Sequence, residues 1–139
     1  MPTISKSEVS LRISGDDIGP SEITRLLGCE PDRAWAKGDE VTAAKSGRTR
    51  TVTFGLWSLY SGIREPANLD DHIFGLIAQL TSDLEIWADL ANRFDIDLFS
   101  SLFLHDTNEG LVVSAEALRA LGDRGIELGL DIYANLEGD

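Results

Sequence analysis

Five cations, Arg33, Lys37, Lys45, Arg48 and Arg50, stand between residues 33 and 50 against only Asp39 and Glu40, with Trp35 among them and Trp57 shortly after. An aromatic ring beside long cationic side chains can hold an anionic or planar ligand by stacking and charge-assisted hydrogen bonds. The candidate ligand-binding residues are therefore Trp35, Lys37, Arg48, Arg50, Trp57 and Ser58. The competing reading is a solvated basic loop with both indoles in the core, since a tryptophan ring buries much apolar area.

Other residues with chemical potential fall short of a constellation. Asp70-Asp71-His72 and His105-Asp106 combine imidazole with carboxylate, a donor set that suits zinc or non-haem iron. Asp70 and Asp71, however, follow Asn68 where acidic side chains serve unpaired helix N–H groups, and no HxxxH or HxH spacing occurs. No metal or cofactor is assigned. Cys29 follows a helix-ending glycine and reads as a packed, inert thiol, with no neighbouring base in sequence to lower its pKa. Ser58 and Ser61 lie in no Gly-x-Ser-x-Gly elbow, and glycine-rich phosphate loops are absent. The chain reads as a binding protein rather than an enzyme.

Charge is divided unevenly along the chain. Residues 1–64 hold nine Lys/Arg and eight Asp/Glu, residues 65–139 three and sixteen, so +1 and −13 sum to the net −12. The acidic half could engage a basic protein partner by electrostatic steering, as inhibitor- and immunity-type proteins do, through Asp83, Asp89, Asp95, Asp97, Asp106 and Glu109. Small anionic ligand binding by loop 33–50, with or without an enzymatic activity, is the alternative. Self-association across a sheet face or edge is a third reading. Nucleic acid is disfavoured, because the carboxylates repel phosphates.

The elements that must position these groups follow from periodicity. Val9, Leu11 and Ile13 alternate with polar residues from Glu8 to Ser14, the pattern of a half-buried strand. Gly19-Pro20 opens a short helix that ends at Leu27 before Gly28. Residues 30–50 read mostly as loop, with a short extended piece around Trp35. From Arg50 a long two-faced strand is expected, with Leu56 and Ser58 on one side and Trp57 and Leu59 on the other, broken at Ser61-Gly62. Asn68 caps a helix carrying Leu69, Ile73, Leu76, Ile77 and Leu80. Ser82 and Glu85 have capping-box spacing for a second helix to about Asn92, with Leu84, Trp87, Leu90 and Ala91 inward, unless the two form one kinked helix.

Ile96 to Leu104 alternates again. Asp106 to Gly110 reads as a hairpin-like turn, and Leu111 to Val113 as a short strand returning beside it. Ser114 caps a helix that buries Leu118 and Leu121 and stops at Gly122, and Ile126, Leu128, Leu130 and Ile132 close the chain as a strand. The expected fold is one α+β domain over residues 1–139: an antiparallel or mixed sheet with helices packed on it, in a ferredoxin-like arrangement, the helix ends Leu26-Leu27-Gly28 and Ala120-Leu121-Gly122 being compatible with two similar halves. Hydrophobic residues at 42% and aromatic residues at 7% are an ordinary globular composition. With a lone cysteine, no apolar run near ~20 residues and no signal-like start, the expected setting is cytoplasmic and off the membrane.

Asp17 with Pro20-Ser21-Glu22-Ile23-Thr24 and Leu26-Leu27-Gly28, then Pro31, Lys37-Gly38-Asp39 and Trp57-Ser58 with Ser61, form a combination that resembles the domain of unknown function 4279 family. The closing stretch is similar too, with Leu121-Gly122 before a strand ending Asp131-Ile132-Tyr133, so the likeness covers most of the chain. The resemblance implies a single-domain bacterial cytoplasmic protein and brings no catalytic residues, cofactor or substrate.

Overall fold

The computed structural model describes residues 2–135. In chain order its elements are β1 (Lys6–Gly15), α1 (Pro20–Leu27), β2 (Arg33–Trp35), β3 (Glu40–Thr42), β4 (Thr49–Thr51), β5 (Gly55–Arg64), α2 (Leu69–Ile77), α3 (Leu84–Arg93), β6 (Asp95–Phe103), α4 (Ala115–Asp123) and β7 (Glu127–Tyr133). The protein is α+β, with a mixed five-stranded sheet ordered β2-β5-β1-β6-β7 and a separate β3–β4 hairpin.

The strand at the centre is β1, antiparallel to both β5 and β6, while β7 runs parallel to β6 after the crossover through α4. Period-two alternation sends Val9, Leu11 and Ile13 of β1 to one face, where they join Trp57, Leu59, Ile96, Leu98 and Leu102 under the helices. Ile23 and Leu27 from α1, Leu69, Ile73 and Leu76 from α2, Trp87 and Leu90 from α3, and Ala117 and Leu121 from α4 close this core. Each fully buried Leu or Ile contributes roughly 1.5–3 kcal/mol of transfer free energy. The opposite face carries Ser10, Arg12 and Ser14 of β1 with Asp97 and Phe99 of β6, no helix covering it among the described residues.

The start signals of α1, α2 and α4 hold. Pro20 occupies the first turn of α1, and Gly28 ends it with φ 76°, a left-handed conformation that costs glycine little. Asn68 accepts from the Asp71 N–H at 3.1 Å, and Ser114 from the Ala117 N–H at 3.0 Å. The cap of α3 is Asp83, which accepts from the Glu85 N–H at 3.0 Å, not Ser82, and α2 and α3 are separate helices. Leu84 at the first position of α3 and Leu118 on α4 are 46% and 48% exposed, so the inward residues there are Trp87, Leu90, Ala117 and Leu121.

Four strand expectations change. Residues 40–51 form the small β3–β4 hairpin rather than loop. The long strand expected from Arg50 is two strands: Val52 turns inward, 2% exposed, its N–H donating to the Asp39 carbonyl, and β5 begins only at Gly55. At its far end β5 runs on through Ser61-Gly62, because a bulge absorbs one residue: Val9 faces Gly62 and Ser10 faces Tyr60, leaving Ser61 extra. Finally, Leu111–Val113 is irregular and does not return beside β6. Both edges of β6 are already occupied by β1 and β7, and the turn is closed instead by Glu109, which accepts the His105 N–H at 2.7 Å.

Candidate ligand-binding groove

The three residues of β2 pair with β5 as Arg33↔Ser58, Ala34↔Trp57 and Trp35↔Leu56. Since Trp57 faces the helices, the alternation turns Arg33 and Trp35 to the uncovered face and Ala34 to the core. The Trp35 indole is held by its Nε1, which donates to the Phe54 carbonyl at 3.1 Å. Two guanidinium groups lie over this ring, Arg33 at 5.6 Å and Arg50, from β4, at 5.9 Å from its centroid. Both distances are within cation–π range. Among the described residues neither arginine forms an ion pair.

These groups form one wall of a groove of about 490 Å3 that runs over the open sheet face. Its floor is Ser14, Leu56 and the Arg12–Asp97 pair, and its far wall holds Asp95 of β6 and Glu127 of β7. Arg12 donates from Nε and Nη2 to the two Asp97 oxygens at 2.9 and 2.7 Å, with its guanidinium 4.3 Å from the Phe99 ring centroid. The hydrogen bond to Asp97 raises the Arg12 pKa above its ordinary value, so the guanidinium stays protonated against its carboxylate partner. A cavity of this size is ordinary for small-molecule sites.

The structure therefore brings Trp35 and Arg50 together and separates the other candidates. Trp57 is wholly buried, its Nε1 donating to Thr24 Oγ1 at 3.0 Å. It belongs to the core and not to the groove, because its position on β5 points it under α1. Lys37 reaches Asp16 at 3.3 Å, away from the groove lining, and Arg48 is exposed in the β3–β4 turn. Ser58 lies on the open face in an adjoining hollow of about 260 Å3 with Arg33 and Tyr60. Arg12, Phe54 and Glu127 were not candidates in the sequence. For Arg12 a signal existed, since the Ser10-Arg12-Ser14 face of β1 places a cation in the middle of a strand.

The acidic candidates have varied duties. Asp95 and Asp97 line the groove. Asp83 caps α3, and Asp89 accepts from Arg93 at 3.0 Å, whose other amino group reaches Glu22 at 2.6 Å. Glu109 closes its turn, while Asp106 is exposed in the same turn. Among the histidine and cysteine positions, His72 is wholly buried between Ser7 and Ser61, and Asp70 accepts from the Ser114 N–H at 3.0 Å. Burial, then Asp32 and Glu30, push the Cys29 thiol pKa up, which works against a thiolate nucleophile. No group of three or more His, Cys, Asp or Glu that could hold a metal ion is found among the described residues, and no helix there is long and apolar enough to cross a membrane.

No curated protein and no solved structure matches this chain. The family model described as "Domain of unknown function (DUF4279)" matches residues 4–135, nearly the whole length, and the chain belongs to that family.

Proposed function

We propose that the protein binds a small, flat, anionic molecule in the groove beside Trp35. The observation that carries this reading is the pair of guanidinium groups, Arg33 and Arg50, held over one indole without a carboxylate partner among the described residues. A planar ligand stacks on the ring while its anionic group takes charge-assisted hydrogen bonds from the arginines. The test is a thermal-shift screen with aromatic monocarboxylates and nucleotides on the parent and on Arg33→Ala/Arg50→Ala. A true ligand at a hundredfold its Kd stabilises the parent by about 2.7 kcal/mol. A shift of equal size in the double variant overturns the reading.

The acidic half meeting a basic protein is a second proposal, now with fewer free carboxylates behind it: Asp83, Asp89, Asp97 and Glu109 all have internal partners. Self-association has β7 in its favour, an edge strand with Leu130 and Ile132 53% and 57% exposed. Light scattering checks it, a monomer mass at high concentration counting against it. The ferredoxin-like arrangement in two similar halves is likewise a proposal. It has the crossover β6–α4–β7 in its favour and the antiparallel run of β1 and β5 around α1 against it.

A further inference from the structure

The charges lining the groove balance: Arg12, Arg33 and Arg50 against Asp95, Asp97 and Glu127. They are not mixed. Arg12 and Asp97 cancel each other in the middle through their two hydrogen bonds. What remains is a cationic end, Arg33 and Arg50 at the β2 side, and an anionic end, Asp95 on β6 and Glu127 on β7. Among the described residues none of these four forms an ion pair.

From this juxtaposition, and resting on the binding reading above, we infer that the groove takes a bipolar ligand: a flat body with a carboxylate-like group at the Arg33/Arg50 end and a protonated amine at the Asp95/Glu127 end. Two features support the amine. An anion alone gains from one wall and is repelled by the other, since Asp95 and Glu127 face the same open groove. A strongly anionic ligand such as a polyphosphate meets a lining of zero net charge and so has no long-range attraction to it. A ligand with both charges satisfies both walls, and its ring still lies over Trp35.

The sheet sets the length. From β2 to β6 are three strand spacings, about 14 Å between backbones, and side chains of both walls line the groove between them. The two ligand charges should then lie within that span of about 14 Å, across a ring or a dipeptide-sized chain rather than on one carbon.

Three matched probes test this by calorimetric titration: 4-(aminomethyl)phenylacetate, which has both charges, 4-ethylphenylacetate, which keeps the anion, and 4-ethylbenzylamine, which keeps the cation. The bipolar probe is expected to bind up to about tenfold more tightly than either isostere, one charge-assisted contact being worth about that factor. In Asp95→Asn/Glu127→Gln the margin over 4-ethylphenylacetate should collapse, because the amine loses its partners and the lone anion loses its repulsion. Thermal unfolding of this variant checks that the exposed substitutions leave the fold intact. Equal binding of the bipolar and anionic probes, both abolished by Arg33→Ala/Arg50→Ala, overturns the bipolar inference and leaves the anionic-ligand reading standing. Binding of neither at millimolar concentration overturns both.

Discussion

Ser7 Oγ and His72 Nε2 stand 2.9 Å apart with both residues wholly buried, so the imidazole of α2 pins that helix to the start of β1. The other ring nitrogen, Nδ1, is 2.8 Å from Ser61 Oγ, the residue that the β5 bulge sets out of register. A single side chain thus joins a helix, the central strand and a bulge. Burial first, and Arg64 second, lower its pKa below the ordinary value, against smaller raising effects of Ser7 and Asp71.

The sign of the pH dependence follows. With the folded pKa below the unfolded one, the unfolded chain takes up the proton first as pH falls. The contribution of neutral His72 is full above about pH 6.5 and is lost progressively below it, levelling once the folded ring protonates as well. Urea midpoints at pH 8 and pH 5.5 should therefore differ more for the parent than for His72→Gln. Equal pH slopes in the two proteins would refute this.

Gly15 and Gly55 face each other where β1 ends and β5 begins. A Cβ added at Gly55 would collide with Ile18 Cβ and lie 2.8 Å from the Gly15 carbonyl oxygen. Backbone cannot yield as a flexible side chain can. Gly55→Ala should destabilise by about 1–3 kcal/mol or more, the usual cost of overpacking, seen as a fall in Tm. An unchanged Tm would mean that the strand ends are free to part.

Much of this architecture was legible because it rests on local physics. Alternation in β1, the proline and glycine that bracket α1, and the hydroxyl and amide caps of α2 and α4 are all decided within a few residues. The β3–β4 hairpin was not, because three-residue exposed strands carry no hydrophobic period. Nor was the β6–β7 parallel pairing, which depends on which edge of β6 stays free after β1 has taken the other. The groove was half legible. Trp35 and Arg50 were visible as an aromatic in basic company, whereas Asp95 and Glu127 reach them through a strand order that composition does not encode.

The capping of α3 offers a one-residue discrimination. Sequence spacing favours Ser82, but the carboxylate that accepts the Glu85 N–H is that of Asp83. Asp83→Ala should cost about 1 kcal/mol, within the 0.5–2 expected for a lost N-cap, and Ser82→Ala close to nothing. Chemical denaturation of the two single variants decides it, and a larger loss for Ser82→Ala would return the cap to the serine.

The two tryptophans separate folding from binding. Trp57 fills the core beneath α1 and donates to Thr24, so Trp57→Phe removes buried volume and leaves the Thr24 hydroxyl without its donor. About 1–3 kcal/mol of stability should go, with affinity in the groove almost unchanged because the ring never reaches it. Trp35 is half-buried at the β2 edge, and its loss removes the surface over which Arg33 and Arg50 are held. Trp35→Ala should therefore weaken binding of aromatic carboxylates tenfold or more while lowering stability less than Trp57→Phe does, since base-like ring stacking alone is worth about 1–3 kcal/mol. Titration and thermal melts on both variants give the four values needed. If Trp57→Phe is the change that abolishes binding, the site lies under α1 and the groove is only surface.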